Sequence, residues 1–168
     1  MVATMQSGAL VSDAVVNEMV EQRLSEADAR EGFILDGYPR TLDQAEHFAA
    51  WLEARRIHKV VIHLAVDYNI IIARLTGRRQ CPRCGTLYNV ASHPPNVDGV
   101  CDLDGEALVI REDDKEAVIR GRLAAYERQT QPVLEYFLQA GHRVIEVDAS
   151  YDPPDTVFQR IRQAMELA

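Results

Sequence analysis

The 168 residues carry 18 basic against 26 acidic side chains, a net charge of −8, and 47% of positions are hydrophobic. This is ordinary for a globular chain of one domain with room for an inserted subdomain. The acidic balance argues against a general binder of nucleic acid or anionic membranes, because such affinity rests on neutralising phosphates. The longest nearly apolar run, Val60 to Val66, is far too short to cross a bilayer. The first basic residue is Arg23, so the charged start of a secretory signal is missing and a cytoplasmic chain is expected.

In chain order, Ser12 is a plausible N-cap for a helix reaching about Ala29, with Val15, Val16, Met19, Val20 and Leu24 as its apolar stripe. Phe33, Ile34 and Leu35 read as a short buried strand, which breaks through Asp36, Gly37 and Pro39. Thr41 and Gln44 form a T-x-x-Q capping box for a helix through Arg56. "KVVIHLAV" predicts a second strand and "YNIIIARL", after Asp67, a short helix. From Asp113 a helical segment runs to Gln139, broken near Pro132 and stopped by Gly141. "HRVIEVDA" predicts a third strand, and Pro153 and Pro154 precede a last helix carrying Val157, Ile161 and Met165. Strands alternating with helices imply parallel βαβ units and an α/β fold. There is no internal repeat or low-complexity run.

Between Gly77 and Asp113 the character changes, since all three cysteines fall there and no helical period does, so this segment reads as an insertion. Cys81 and Cys84 form C-x2-C, Cys101 follows after sixteen residues, and Asp104 stands where a fourth cysteine would complete a second C-x2-C. Two such knuckles resemble a zinc ribbon, and a closed set of four protein ligands implies a structural ion. Three alternatives stay open: a redox dithiol in "CPRC", an unpaired buried Cys101, and His93 in place of Asp104. Sixteen of the eighteen basic residues are arginines, with Arg74, Arg78 and Arg79 in one cluster and Arg111, Arg120 and Arg122 in another. The guanidinium fork suits phosphate oxygens, although Arg74 and Arg78 also suit a helix C-terminus, and Arg120 and Arg122 a solvated helix face.

"SGALVSD", "GFILDGYPRTLDQA", "RLTGRRQCPRCGTLYNV", "VIREDDKEAVIRGRL" and "VDAS" stand in an order that resembles the long, lid-bearing adenylate kinases of the zinc-binding bacterial type. The resemblance runs from about Met5 to the C-terminal helix. It implies the parallel-sheet P-loop nucleoside monophosphate kinase fold, with residues 1–76 as core ending the AMP-binding region, 77–112 as a zinc-ribbon-like lid, and 113–168 as the rest of the core. It implies transfer of the terminal phosphoryl group of ATP to AMP with Mg2+, giving two ADP in nucleotide salvage and energy homeostasis, in a protein that is a monomer when complete. By resemblance, Ala9, Leu10, Val11, Gly37, Tyr38, Pro39, Arg40 and Gln44 line the AMP site, with Arg40 on the phosphate and Gln44 at the adenine. Arg78, Leu87, Tyr88 and Tyr151 match ATP positions, Tyr151 through its backbone. Arg74, Arg111 and Arg122 match the phosphate-clamping arginines, Arg111 and Arg122 touching AMP as well. Asp36 matches an acid that positions Mg2+ through water, and Asp113 and Asp114 match acids that pair with the arginines at the lid hinge. Structural Zn2+ would sit on Cys81, Cys84, Cys101 and Asp104.

One family feature has no counterpart here. No G-x-x-x-x-G-K phosphate loop occurs, and the two lysines, Lys59 and Lys115, do not follow a glycine. Relative to the family, more than one ~30-residue βαβ unit is lacking at the N-terminus. The strands around residues 33–35 and 60–66 should then lack their shared neighbour and expose hydrogen-bonding edges. A misplaced start codon or a fragmentary sequence is the expected reason. A noncatalytic nucleotide- or partner-binding remnant is the alternative, and a zinc-ribbon interaction module is a third reading.

Overall fold

The computed structural model describes residues 12–166. Its helices are α1 (Asp13–Leu24), α2 (Leu42–Ala54), α3 (Tyr68–Thr76), α4 (Glu116–Ala125), α5 (Gln131–Gln139) and α6 (Pro154–Glu166). Its strands are β1 (Val61–Ala65), β2 (Arg78–Gln80), β3 (Leu87–Asn89) and β4 (Val144–Asp148). β1 pairs with β4. The Val61 N–H donates to the Arg143 carbonyl and the Ala149 N–H to the Ala65 carbonyl, so both strands advance together and the pair is parallel, as the alternation of strands and helices implies.

The described residues divide into two compact units, one of residues 12–61 and 126–144 and the other of 62–125 and 145–166. In the first, α1 and α2 bury Leu24, Ala29, Phe48, Trp51 and Leu52 together, with Phe33, Leu35 and Tyr38 packed on that cluster. Phe48 stacks on Trp51 and meets Tyr38 edge-on at 5.3 Å between ring centres. A second cluster joins Ala45 and Ala49 of α2 to Val133 and Phe137 of α5. The apolar stripe expected on α1 is only partly used. Leu24 is buried, but Val15 and Met19 are exposed, and Asn17 takes a buried place because its side-chain oxygen accepts the Tyr38 hydroxyl at 2.7 Å. Burial pushes the Tyr38 phenol up to about 12, so it remains a donor there at neutral pH. α1 also stops earlier than expected, giving way to a 3-10 turn over Ala27–Glu31.

The buried strand expected at Phe33 to Leu35 is not formed. The segment is extended, but Ile34 is 95% exposed and no strand pairs with it among the described residues. A strand is defined by its ladder, and an apolar run without a neighbour to exchange backbone hydrogen bonds has only the extended conformation.

In the second unit, Val147 and Ala149 at the end of β4 pack against Val157 of α6, with Val66, Ile145 and Ile161 around them, while Met165 stays exposed. β1 alternates, with Ile62 and Leu64 exposed, so it is covered on one face and not on two as a near-continuous apolar strand predicts. α3 begins where expected, after Asp67, whose side chain caps it by accepting the Asn69 N–H. The long helical segment after Asp113 does break before Pro132: a π-helical turn over Tyr126–Thr130 separates α4 from α5, and Pro132 sits in the first turn of α5, where its missing N–H costs nothing. Residues 77–111 hold β2 and β3, paired antiparallel, plus three isolated bridges and no helix.

Candidate functional site

In the first unit, the turn between Asp36 and α2 is held by one carboxylate. Thr41 caps α2, its hydroxyl oxygen accepting the Gln44 N–H at 3.2 Å, as a capping box requires. The reciprocal bond differs from the expectation: Gln44 Oε1 reaches past the cap to accept the Arg40 N–H at 2.8 Å. The Thr41 hydroxyl donates to Asp13 Oδ2 and Gln44 Nε2 to Asp13 Oδ1, both at 2.7 Å. Asp13, in the first turn of α1, thus clasps the start of α2. Sequence reasoning passed over it in favour of Ser12, whose side chain makes no capping bond. Gln44 is buried, and both ends of its side-chain amide are bonded by these partners.

Arg40 folds back so that Nε donates to the Gly37 carbonyl at 2.6 Å. Gly37 has φ 77°, which favours glycine, and a Cβ on it would lie 2.6 Å from the Arg40 guanidinium, so a side chain there would push the arginine out of this position. The Tyr38–Pro39 peptide is cis. Asp36 is exposed and has no bonded partner among the described residues. Ala9, Leu10 and Val11 lie outside the described residues.

In the second unit, Arg78, Arg111 and Arg122 each meet an acid. Arg78 makes a two-pronged pair with Asp114, Nε to Oδ2 at 2.7 Å and a terminal nitrogen to Oδ1. Asp114 is 2% exposed, and the guanidinium holds its carboxyl below the usual carboxylate range. Arg111 forks onto Asp113 at 3.0 and 2.9 Å, and Arg122 lies 3.6 Å from the same carboxylate. Arg74 donates to the carbonyls of Ala149 and Ser150, at 3.0 and 2.6 Å, tying α3 to the loop after β4. Tyr151, in that loop, is 81% exposed. Leu87 is exposed on β3, whereas the Tyr88 side chain turns inward, its hydroxyl accepting the Asp102 N–H at 2.8 Å and lying 3.6 Å from Cys101 Sγ.

Cys81, Cys84, Cys101 and Asp104 converge, their ligand atoms all within 4.8 Å of one another. Two turns of one design bring them there. In the first, the Cys81 N–H donates to the Thr86 carbonyl and the Gly85 N–H to the Cys81 carbonyl; in the second, Cys101 bonds Glu106 and Gly105 bonds Cys101 in the same way. Gly85 and Gly105 have φ 77° and 72°. Asp104 therefore occupies in its turn the place of Cys84 in the other, a short local repeat that is visible in the backbone more than in the letters. His93 instead stacks flat on Tyr88, with ring centres 5.9 Å apart, which leaves Asp104 as the fourth donor. The set suits a metal ion: tetrahedral bonds of about 2.3 Å to sulfur put the ligands about 3.8 Å apart, and Cys84 and Cys101 stand at 3.6 Å.

The adenylate kinase family model matches residues 1–142. An adenylate kinase of Thermoanaerobacter sp. (strain X514) is 41% identical over 162 residues, covering 96% of this chain and 74% of the relative. One from Caldanaerobacter subterraneus subsp. tengcongensis is 42% identical over 163 residues, covering 96% and 72%. One from Staphylococcus epidermidis is 45% identical over 138 residues, covering 82% and 64%. Among the described residues, no helix is long and apolar enough to cross a membrane.

Proposed function

Because the chain belongs to the adenylate kinase family, we propose that its two arginine-bearing regions serve reversible phosphoryl transfer from ATP to AMP in the roles the sequence assigns them. The observation that carries this reading is the way Asp113 and Asp114 hold Arg111, Arg122 and Arg78 at the foot of the insertion. Phosphoryl transfer asks little covalent work of a protein, so the catalytic contribution is alignment of two nucleotides and stabilisation of charge on the moving group. The two kinds of ion pair suit different parts of that work. The Arg111 and Arg122 pairs are exposed, and such pairs are worth about 0–1 kcal/mol, so phosphate oxygens can displace Asp113 from them. The Arg78 pair is buried and stays; it uses Nε and one terminal nitrogen, which leaves the other terminal nitrogen to donate to an ATP phosphate. Arg74 positions the loop bearing Tyr151, whose backbone lies at the adenine of ATP. Leu87 offers an exposed apolar contact, and Tyr88 shapes the lid from within.

In the first unit, Arg40 binds the AMP phosphate, exchanging its Gly37 carbonyl for phosphate oxygens, and Gly37, Tyr38 and Pro39 form the floor. Gln44 reaches adenine only by giving up Asp13, and Ala9, Leu10 and Val11 complete the lining. Asp36, a carboxylate with no bonded partner among the described residues, would help to position Mg2+, which supplies charge neutralisation at the phosphates when bound. The three cysteines and Asp104 would hold Zn2+ as thiolates and carboxylate, a closed set of four ligands that would stabilise the lid and leave no open position for chemistry. A site of three thiolate donors suits a reducing compartment, so the proposed location is the cytoplasm, and the proposed state is a monomer when complete.

Arg40→Ala should weaken AMP binding by about 1.5–3 kcal/mol, the worth of a charged hydrogen bond, measured by calorimetry with the chain carrying a phosphate-loop unit. Unchanged AMP affinity would reduce the turn to a capped helix start. For the metal, elemental analysis of folded protein should find about one zinc per chain, and Cys101→Ser should lower lid stability far more than it alters the chemical step. A chain with no zinc, or a Cys81–Cys84 disulfide in protein purified under reducing conditions, would remove the metal assignment.

A further inference from the structure

The four metal donors differ in how they meet solvent and in what an oxidant can do to them. Cys81 and Cys101 are buried, at 0% and 2% exposure, while Cys84 is exposed. The Cys84 sulfur lies 3.1 Å from the Thr86 hydroxyl, which can donate to it, and 3.6 Å from the Cys101 sulfur. Cys81 is drawn also to the carboxylate, 3.4 Å from both oxygens of Asp104, and accepts the Cys84 N–H at 3.4 Å. Asp104, which stands in the second turn where Cys84 stands in the first, offers oxygen and has nothing to oxidise.

We propose that Cys84 is a peroxide-reactive modification site and Cys101 its resolving partner, so that a hydroperoxide unlocks the lid by converting two of its four ligands into a disulfide. This rests on the zinc reading above. The Cys84 sulfur gives an electron pair to one peroxide oxygen, the O–O bond breaks, and the departing hydroxide takes a proton to become water, leaving a sulfenic acid on Cys84. The Cys101 sulfur then attacks the Cys84 sulfur; the S–S bond forms, the S–O bond breaks, and a second hydroxide is protonated to water. Two thiolates lose two electrons in total and one hydrogen peroxide is reduced to two waters. A bound ion is left with Cys81 and Asp104 alone, too few for a closed site. Reduction by a dithiol restores both ligands.

The test uses the full chain as purified, with zinc content measured first. Hydrogen peroxide is added, released zinc is followed with a chromogenic indicator, and the products are mapped by mass spectrometry of non-reduced peptides. The expected result is zinc release in step with a Cys84–Cys101 linkage, reversed by dithiothreitol and added zinc. Cys84→Asp, which makes both turns end in a carboxylate, should slow peroxide-driven release by about tenfold or more. A Cys81–Cys84 linkage as the first product, or zinc release from wild type without any disulfide, overturns the proposal while leaving the zinc reading intact. A chain that holds no zinc refutes the metal reading instead, and the peptide map of that metal-free chain after peroxide still decides whether Cys84 pairs with Cys101. If Cys84→Asp does not fold, the wild-type map alone decides.

Discussion

The 168-residue chain alone should form ADP from ATP and AMP at no more than a trace rate, while the same chain joined at its N-terminus to a strand, G-x-x-x-x-G-K loop and helix should turn over readily. Its arginines can attract phosphates, but neither Lys59 nor Lys115 follows a glycine, so no amide cradle and lysine hold the ATP γ-phosphate against the AMP oxygen. Loss of aligned geometry removes about 7–11 kcal/mol of effective proximity, more than an arginine cluster can return. The unpaired segment at Phe33 to Leu35 also leaves a place where an added strand could pair. Both forms should be checked for cooperative unfolding and nucleotide binding before ADP is measured, so that inactivity is separated from unfolding. Robust turnover by the short form would show that the missing loop is dispensable. A folded but inactive extended form would favour a noncatalytic remnant.

Arg78→Ala should lower stability by about 3–5 kcal/mol at neutral pH, because it leaves Asp114 buried without its hydrogen-bonded partner, with Arg111 and Arg122 acting on its charge only from further away. The loss has a pH signature. Asp114 has its carboxyl pKa depressed in the folded chain, so the pair's contribution is fully present above the unfolded value and fades as pH falls through the lowered folded one. In the variant the largest cause of that depression is gone, so the gap between wild type and Arg78→Ala should narrow as the solution is acidified below the ordinary carboxylate range. Urea unfolding of both proteins across that range measures it. A penalty below about 1 kcal/mol, the size of an exposed pair, or one that does not change with acid, would mean that Asp114 is satisfied without Arg78.

The sequence is most readable where a residue's neighbours in the chain decide its conformation. Asp67 before α3, Thr41 before α2, Pro132 in the first turn of α5 and the two cysteine turns all follow from contacts within a few positions. It is least readable where the partner is remote. Phe33 to Leu35 has the composition of a buried strand, but whether it becomes one depends on a ladder that composition does not contain. Asn17 sits on the buried side of α1 because Tyr38, 21 positions later, needs an acceptor, and no helical period announces that. Asp13 was hidden in the same way, its two partners lying 28 and 31 positions downstream. The choice of Asp104 over His93 was open in the letters and follows in space from the second turn repeating the first.

The clasp at Asp13 has an electrostatic meaning beyond its hydrogen bonds. Asp13 stands in the first turn of α1, and its two oxygens meet the cap and first turn of α2, so two helix N-termini face one carboxylate. Aligned peptide dipoles leave roughly half a positive charge at each such end. Two ends brought together would repel as like poles, and about one unit of positive charge is what a single carboxylate neutralises. Asp13 is in this sense the counter-charge that lets α1 and α2 begin side by side, and a nucleotide phosphate arriving at Arg40 would meet a positive field already partly spent on that side chain.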